Sequence, residues 1–525
     1  MKNLAIGVMM MCSVFGASSQ SKFNNPILPG FYPDPSICRV NNDYYLVNSS
    51  FEYFPGVPIF HSKDLVNWKQ IGHCLTTDEQ LPLQKARFSG GIYAPTIRYN
   101  KGTYYMVTTN VSSLGNFYVT AKNPAGPWSE PIKVKQGGID PTIFWDENGK
   151  TYFMSTMDNK IFMSEINIEN GELLNKPVAV WGGTGGRYPE APHVYKKDGY
   201  YYLLIAEGGT EYAHMITIAR SKNIYGPYES CPRNPILTHC RVEAQSNPIQ
   251  GTGHGDLVQA QDGSWWIVFL AFRPNVDTNH LLGRETYLAP VEWDKDGWPI
   301  VNGGKPVTLD MNCKLPVQAV QSQNFDNKEE FDGKEVAMIW NYLRNPNRSN
   351  YSLSERKGFM RLKGDTIYID QNDSPTFIGR RQQHMNFEAT AKIEIKQISE
   401  KDRSGLSVYM NSNNHYSVFI TEENNQRYVC LEYKLGKIKH IEKKIPVGNS
   451  PILLKAEGKA EFYSFYYSED EGKTFKFLGE ADTRYLSKET NNVFTGVYIG
   501  LFAESEQKPG SIIADVDWFD YREKK

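Results

Sequence analysis

The sequence predicts an all-β protein, a five-bladed β-propeller followed by a β-sandwich. Three observations predict it. One opening phrase recurs five times in the N-terminal part: "DPSICRVNNDYYLVNSS" at Asp34, "APTIRYNKGTYYMVTTN" at Ala94, "DPTIFWDENGKTYFMST" at Asp140, "APHVYKKDGYYYLLIAE" at Ala191 and "HGDLVQAQDGSWWIVFL" at His254. Aromatic residues make up 13% of the chain, a content that suits β-structure. Beyond the repeats, apolar and polar residues alternate between turn signals, as they do in a sandwich.

Taken in order, the chain opens on a secretory pattern. Lys2 precedes an apolar run from Leu4 to Phe15, and small residues Ala17, Ser18 and Ser19 follow. The run is too short to span a bilayer. Residues 1–19 are therefore expected to be a signal peptide, and the mature protein to be exported. Cys12 lies inside the apolar run rather than at its end, which argues against a lipoprotein anchor.

Next comes "GFYPDPSICRV", where Asp34 stands between Pro33 and Pro35. Proline fixes its own φ, donates no amide hydrogen bond and restricts the residue before it. Asp34 is thus a carboxylate on stiffened backbone outside any ladder; a turn ahead of a strand is the plain alternative. From there each repeat gives a short strand, a polar turn and an aromatic-rich strand, a hairpin signature. Further strands follow in each unit, such as "IFHSKDLVNW" and "ITIARSKNIYGPY". Units of roughly 45 to 65 residues, each worth about four strands, read as propeller blades. Five fill residues 20–302. An array of sandwiches is the other arrangement, but it gives no reason for one phrase to open every unit. Residues 303–321 lose the repeat and read as a linker. Residues 322–525 read as the sandwich, with strands such as "FEATAKIEI", "SGLSVYMNS", "HYSVFIT" and "GVYIGLFA".

Composition excludes several classes. The net charge is −2 over 525 residues with both signs mixed, so no basic nucleic-acid footprint exists. No later segment is apolar enough to cross a membrane. Outside the apolar run, the cysteines are too scattered for a disulfide framework and no spacing matches a zinc site. Cys231 and Cys240 are near enough in sequence for one loop disulfide.

The innermost strand of a propeller blade starts near the central axis. The aligned openings therefore bring Asp34, Asp140 and His254 to one cavity, with Glu190 one residue ahead of Ala191. Carboxylates gathered this closely repel one another and shift their pKa values. Such crowding serves catalysis or a metal better than packing.

The phrases "NPILPGFYPDPSI", "SSFEYFPGVPIFHSKDLVNW", "SGGIYAPTI", "GIDPTIF", "EAPHVYKKDGYYYLLIAEGGT", "GHGDLV" and "LLGRETYLAPVEW" resemble family 43 glycoside hydrolases. The resemblance is to the β-xylosidase and α-L-arabinofuranosidase branch with a C-terminal concanavalin-like sandwich, for which "IGRRQQHMNFEA" is the clearest phrase. It implies an inverting hydrolase in which Asp34 is the general base, Glu190 the general acid and Asp140 the carboxylate that orients the acid and tunes its pKa. Inversion needs one protonated and one ionised carboxyl about 6.5 to 9.5 Å apart, with water between. Blades facing across an axial cavity suit that requirement.

The resemblance also implies substrate contacts. Arg284 in "LGRET" matches an arginine on sugar hydroxyls; its alternative is a strand-end salt bridge. Phe51 matches a ring lining the sugar pocket, or else core packing. His254 is expected on the axis, bound to substrate, to a water, or to a calcium ion through water. Such an ion would be structural, and no cofactor is needed for the chemistry. The sequence shows no dedicated carboxylate cage for a metal. In "NVFTG" of the sandwich, Phe494 is expected to close one side of the pocket, or else to sit in the sandwich core. A pocket closed in this way favours exo-cleavage of short chains. Two positions depart from the branch. Tyr93 stands where tryptophan is common, and Ala191 where glycine is frequent, so Tyr93 bears on the choice of sugar.

The expected activity is release of xylose from the non-reducing ends of xylo-oligosaccharides. An α-L-arabinofuranosidase on arabinoxylan fragments is the close rival. A carbohydrate-binding propeller without chemistry is the third reading, against which the intact Asp34, Asp140 and Glu190 argue. The partner is an oligosaccharide; oligomeric state is open.

Overall fold

A computed structural model describes residues 21–316, 325 and 327–524. The expected signal peptide lies outside the described residues. The described chain is all-β apart from short helical turns, and it forms five four-stranded blades followed by two larger sheets.

Each blade is built from consecutive antiparallel strands. The first is Ser36–Val40, Asp43–Val47, Gly56–Ser62 and Lys69–Leu75. The second is Thr96–Asn100, Thr103–Asn110, Gly115–Ala121 and Ile132–Lys133. The third is Ile139–Trp145, Thr151–Met157, Lys160–Glu165 and Val178–Trp181. The fourth is Glu190–Lys197, Tyr200–Glu207, Met215–Ser221 and Glu229–Ser230, with Leu237–Thr238 also on its third strand. The fifth is Gln250–Gln259, Trp265–Phe272, Glu285–Trp293 and Pro299–Val301. The polar turns read from sequence make the hairpins. Lys101–Gly102 and Asp198–Gly199 both take positive φ at both positions, the twist a two-residue hairpin requires. The innermost strands touch in a closed ring, first to second through fifth and back to first.

The ring is fastened from outside its blades. Ser21–Asn24 pairs antiparallel with Asp310–Cys313, and Leu28 bridges Thr286. Val307, Met311 and Leu315 pack into the same core as Leu46, Ile267 and Val291. Much of the described part of 303–321, expected as a linker, is thus propeller structure. Of these three core residues only Met311 lies in the strand Asp310–Cys313, a pattern too brief to stand out in the sequence.

The sandwich buries one core between its two sheets. In Phe387–Gln397, Phe387, Ala389, Ala391, Ile393 and Ile395 face that core at period two, the alternation that identified the strand. One sheet does not end within the domain. Its outermost strand is Tyr53–Phe54 of the propeller, paired with Asn341–Leu343. Tyr53 also stacks on Tyr498, with ring centroids 3.9 Å apart. Buried Arg381 donates to Phe31 O at 2.6 Å and to Asn341 Oδ1 at 2.8 Å. The two domains therefore share a sheet and an aromatic core. Among the described residues, no helix is long and apolar enough to cross a membrane.

Candidate active site

The innermost strands do not enter the axis straight. Asp34, Asp140, Ala191 and His254 have φ of 53°, 55°, 57° and 46°, in the left-handed region. Pairing register slips beside three of them: between Ile139 and Thr142, Glu190 and His193, and Gly253 and Asp256. These are bulges, which bend a strand and re-aim its side chains. Left-handed backbone costs an L-residue about 1–2 kcal/mol, and Asp tolerates it better than most. Ala191 has no such tolerance, which explains why glycine suits its position.

The kinks deliver Asp34, Asp140, Glu190 and His254 to a single cavity of about 330 Å³. Phe51, Tyr93, Arg284 and Phe494 line it as well. All eight residues singled out in the sequence thus meet in one place. Arg284 organises them. It donates to Asp34 Oδ1 at 2.7 Å, to Thr210 Oγ1 at 3.0 Å and to the Phe494 carbonyl at 3.3 Å. Its guanidinium also lies 5.7 Å from the Phe51 ring and 5.6 Å from the Phe494 ring. Ser49 donates to Asp34 Oδ2 at 2.5 Å, and His254 Nδ1 stands 3.7 Å from Asp34 Oδ1. Phe51, Tyr93 and Phe494 form a ring triangle with centroids 5.3 to 5.9 Å apart. Phe494 is fixed from the other domain, its amide donating to Ser89 Oγ at 2.9 Å. It packs in an aromatic cluster formed by both domains, so pocket wall and core are one role here.

The three carboxyls differ in charge. Burial alone would push Asp34 up, but the Arg284 guanidinium and the Ser49 hydroxyl help hold it below the ordinary carboxylate range. Glu190 is pushed up to about 7, first by burial and then by the charge of Asp34. Asp140 is pushed well up by burial, by Glu190 and by Asp34. The site therefore combines one ionised carboxylate with a pair that keeps a proton near neutrality. His254 is held below the usual imidazole range by burial, against the opposing pull of Asp34, and is neutral at pH 7.

Beneath the cavity lies a polar girdle that sequence reading missed. Buried Asp256 accepts from Ser36 Oγ at 2.7 Å, Ile37 N at 3.0 Å, Arg98 Nη1 at 2.8 Å and Tyr195 Oη at 2.5 Å. Arg98 also meets His193 Nδ1 at 2.8 Å. Burial would raise the Asp256 carboxyl, but Arg98 and its other partners hold it well below the usual range. Four blades are tied together here. The signal was present, since Asp256 follows His254 in "GHGDLV", but one sequence cannot tell an axial tie from an axial reactant.

Among the described residues, no three His, Cys, Asp or Glu side chains converge on a metal position. The residues do not fit an ion held directly by side chains, and no step below involves one. Cys231 and Cys240 carry free thiols, the first buried and the second exposed.

Comparison with known proteins bears on the whole chain. The family model for "Glycosyl hydrolases family 43" matches residues 23–299. The "Beta xylosidase C-terminal Concanavalin A-like domain" matches residues 328–522. The non-reducing end alpha-L-arabinofuranosidase BoGH43B of Bacteroides ovatus is 44% identical over 513 residues, covering 96% of this chain and 95% of that protein. A xylosidase/arabinosidase of Butyrivibrio fibrisolvens is 39% identical, covering 95% and 99%. The solved structure described as Bacteroides ovatus Xyloglucan PUL GH43B superposes with a TM-score of 0.91 at 42% identity, over 96% of this chain and 100% of that one.

Proposed function

The chain belongs to glycosyl hydrolase family 43, and from that premise we propose that it is an exo-acting, inverting enzyme releasing xylose from the non-reducing ends of xylo-oligosaccharides. One observation carries the reading: a single pocket holds Asp34, kept below the ordinary carboxylate range, together with Glu190, pushed up to about 7. Hydrolysis of a glycoside with inversion asks for that combination. Glu190 gives its proton to the glycosidic oxygen as the bond from the anomeric carbon breaks. Water attacks the same carbon from the opposite face, and Asp34 takes its proton. Arg284 and Ser49 keep Asp34 charged and fixed in direction, so the water is aligned before reaction. Asp140 shares the proton balance of the site with Glu190 and tunes the acid. Arg284, His254 and the three rings hold the terminal sugar. The sandwich supplies Phe494 as one wall of the pocket, which supports cleavage at chain ends.

A second reading, α-L-arabinofuranosidase, is favoured by the 44% identical relative that carries that name. Tyr93, standing where tryptophan is common in the branch, also bears on which pentose fits. The secretory pattern of residues 1–19 supports export as the enzyme's destination. Hydrolysis of 4-nitrophenyl β-D-xylopyranoside and 4-nitrophenyl α-L-arabinofuranoside separates the two readings. Turnover of the arabinofuranoside alone would overturn the first. Proton NMR of the first-formed sugar tests inversion; a product with the substrate's anomeric configuration would refute it.

A further inference from the structure

We propose that Glu489 is a positioning residue for the sugar pocket: it reaches from the sandwich to His280 of the propeller and sets where the wall segment 488–494 stands. The proposal rests on the hydrolase reading above. The wall is weak by itself. Lys488, Asn492 and Phe494 all line the pocket, and they lie on a one-turn helix, Lys488–Asn491, and the three residues after it. A helix this short has no stability of its own, since nucleation costs more than one turn returns. Ser487 Oγ caps it by accepting from Thr490 N at 3.2 Å, and Asn492 ends it with φ of 49°. Those contacts shape the turn but do not fix it to the propeller, which carries the three carboxyls.

Three consecutive residues supply that fixing. Ser487 Oγ donates to Asn279 Oδ1 at 2.8 Å, and Lys488 N donates to His280 O at 3.0 Å. The Glu489 carboxylate accepts from His280 N at 3.0 Å and from His280 Nδ1 at 2.8 Å. Both oxygens of one side chain thus hold one residue of the other domain. Partial burial would raise the Glu489 carboxyl, but its bonds from His280 hold it below the usual range, so it is ionised and Nδ1 carries a proton. His280 is a firm anchor. It is buried, and its ring stacks on Phe272 with centroids 4.0 Å apart.

The place of this tie gives it reach along both chains. Four residues after His280 comes Arg284, which holds Asp34, and five residues after Glu489 comes Phe494. Beyond the tie the two segments stay together. Val497 N donates to Leu281 O at 3.0 Å, and the backbones come so close that a Cβ on Gly496 would stand 2.4 Å from Leu282 O. The far end of the wall is held by Ser89, whose Oγ accepts from the Phe494 amide at 2.9 Å. Glu489 holds the near end. It does not line the pocket itself, so it acts through the wall and not on the sugar. Losing it leaves Phe494 with its aromatic neighbours but without a fixed distance to Arg284.

The test uses the full chain and whichever of the two nitrophenyl pentosides the parent hydrolyses. A parent that hydrolyses neither overturns the hydrolase reading and this proposal together. With turnover established, Glu489→Ala is expected to raise KM about tenfold and to change kcat by less than about twofold. Glu489→Gln should restore KM, because its oxygen accepts from the His280 amide and its NH2 donates to Nδ1 of the other imidazole tautomer. In a Phe494→Ala background, Glu489→Ala should raise KM by less than about twofold more, since the ring it positions is already gone. His280→Phe keeps a ring on Phe272 and removes the side-chain bond to Glu489. It should raise KM by about three- to tenfold, and it decides the matter if Glu489→Ala does not fold. An unchanged KM, a loss confined to kcat, or full additivity with Phe494→Ala overturns the proposal while leaving the hydrolase reading in place.

Discussion

Asp34 and Glu190 line the same pocket, yet their surroundings move them in opposite directions. Arg284 is the main reason, because it sits against Asp34 and draws that carboxyl down. Removing Glu190 tests the acid. Glu190→Ala should cut turnover on xylobiose by about a hundredfold to ten-thousandfold, the usual worth of a general acid. Aryl xylosides with good leaving groups should lose less, and equal losses would take Glu190 out of that role. In the intact enzyme, kcat/KM should fall as pH rises through about 7, where Glu190 gives up its proton. Arg284→Ala tests the base. Without the guanidinium, burial of Asp34 prevails and its carboxyl rises, so the acid limb of the pH–rate profile should move to higher pH. An unmoved limb would show that Asp34 is not the group titrating there. The three carboxyls were legible because Asp34 and Asp140 stand at the same point of a repeated phrase and Glu190 one residue before it. Ser49 and Thr210 were not, since a hydroxyl in "VNSS" or "GGT" has no pattern to mark it.

At the scale of elements, the run Phe51–Phe54 joins chemistry to architecture. Phe51 lines the pocket and Tyr53–Phe54 complete a sheet of the sandwich. Between them, buried Glu52 accepts from Ser89 N at 2.9 Å, and Ser89 in turn holds the amide of Phe494. Burial pushes Glu52 up to about 7, against the opposing charges of Arg344 and Arg87. Its ordinary value is 4.5, so the folded state holds the proton more tightly than the unfolded chain does. That contribution, roughly 3 kcal/mol, is whole below pH 4.5 and is lost as pH rises through about 7. Glu52→Gln should therefore flatten the fall in Tm between pH 4.5 and 7.5 relative to the parent. Parallel curves for the two proteins would refute the assignment. Strand alternation told the sequence reader that "FEYFPGVPIF" holds β-structure. It could not tell that two of those residues leave their blade, because period two says which face a residue takes and not which sheet it joins. The axial bulges were hidden for the same reason.

For the whole molecule, the propeller and sandwich are separate in sequence and continuous in structure. Five blades and a sandwich were readable from repeats and alternation, but the aromatic core shared by Phe31, Phe51, Tyr53, Phe377, Tyr409 and Tyr498 was not. Such contacts join residues hundreds of positions apart, and no local pattern encodes them. Residues 20–320 expressed alone should lack a cooperative thermal transition, because the cut bares that core. A truncated chain that melts cooperatively near the parent's Tm would contradict this. In the full chain, Phe494→Ala removes the cap without the domain and should raise KM for xylobiose by roughly tenfold. An unchanged KM would reduce Phe494 to packing.

The strand that Tyr53–Phe54 lends to the sandwich also constrains how such proteins can be recombined. The matched families break between residues 299 and 328, the natural crossover for a chimera of two relatives. A crossover there still transfers the sandwich without its last strand, which stays behind in the recipient's propeller chain. A graft should succeed when residues 51–54 and 84–93 travel with the sandwich as one cassette. Lineages that keep both halves are then expected to inherit them as a single unit.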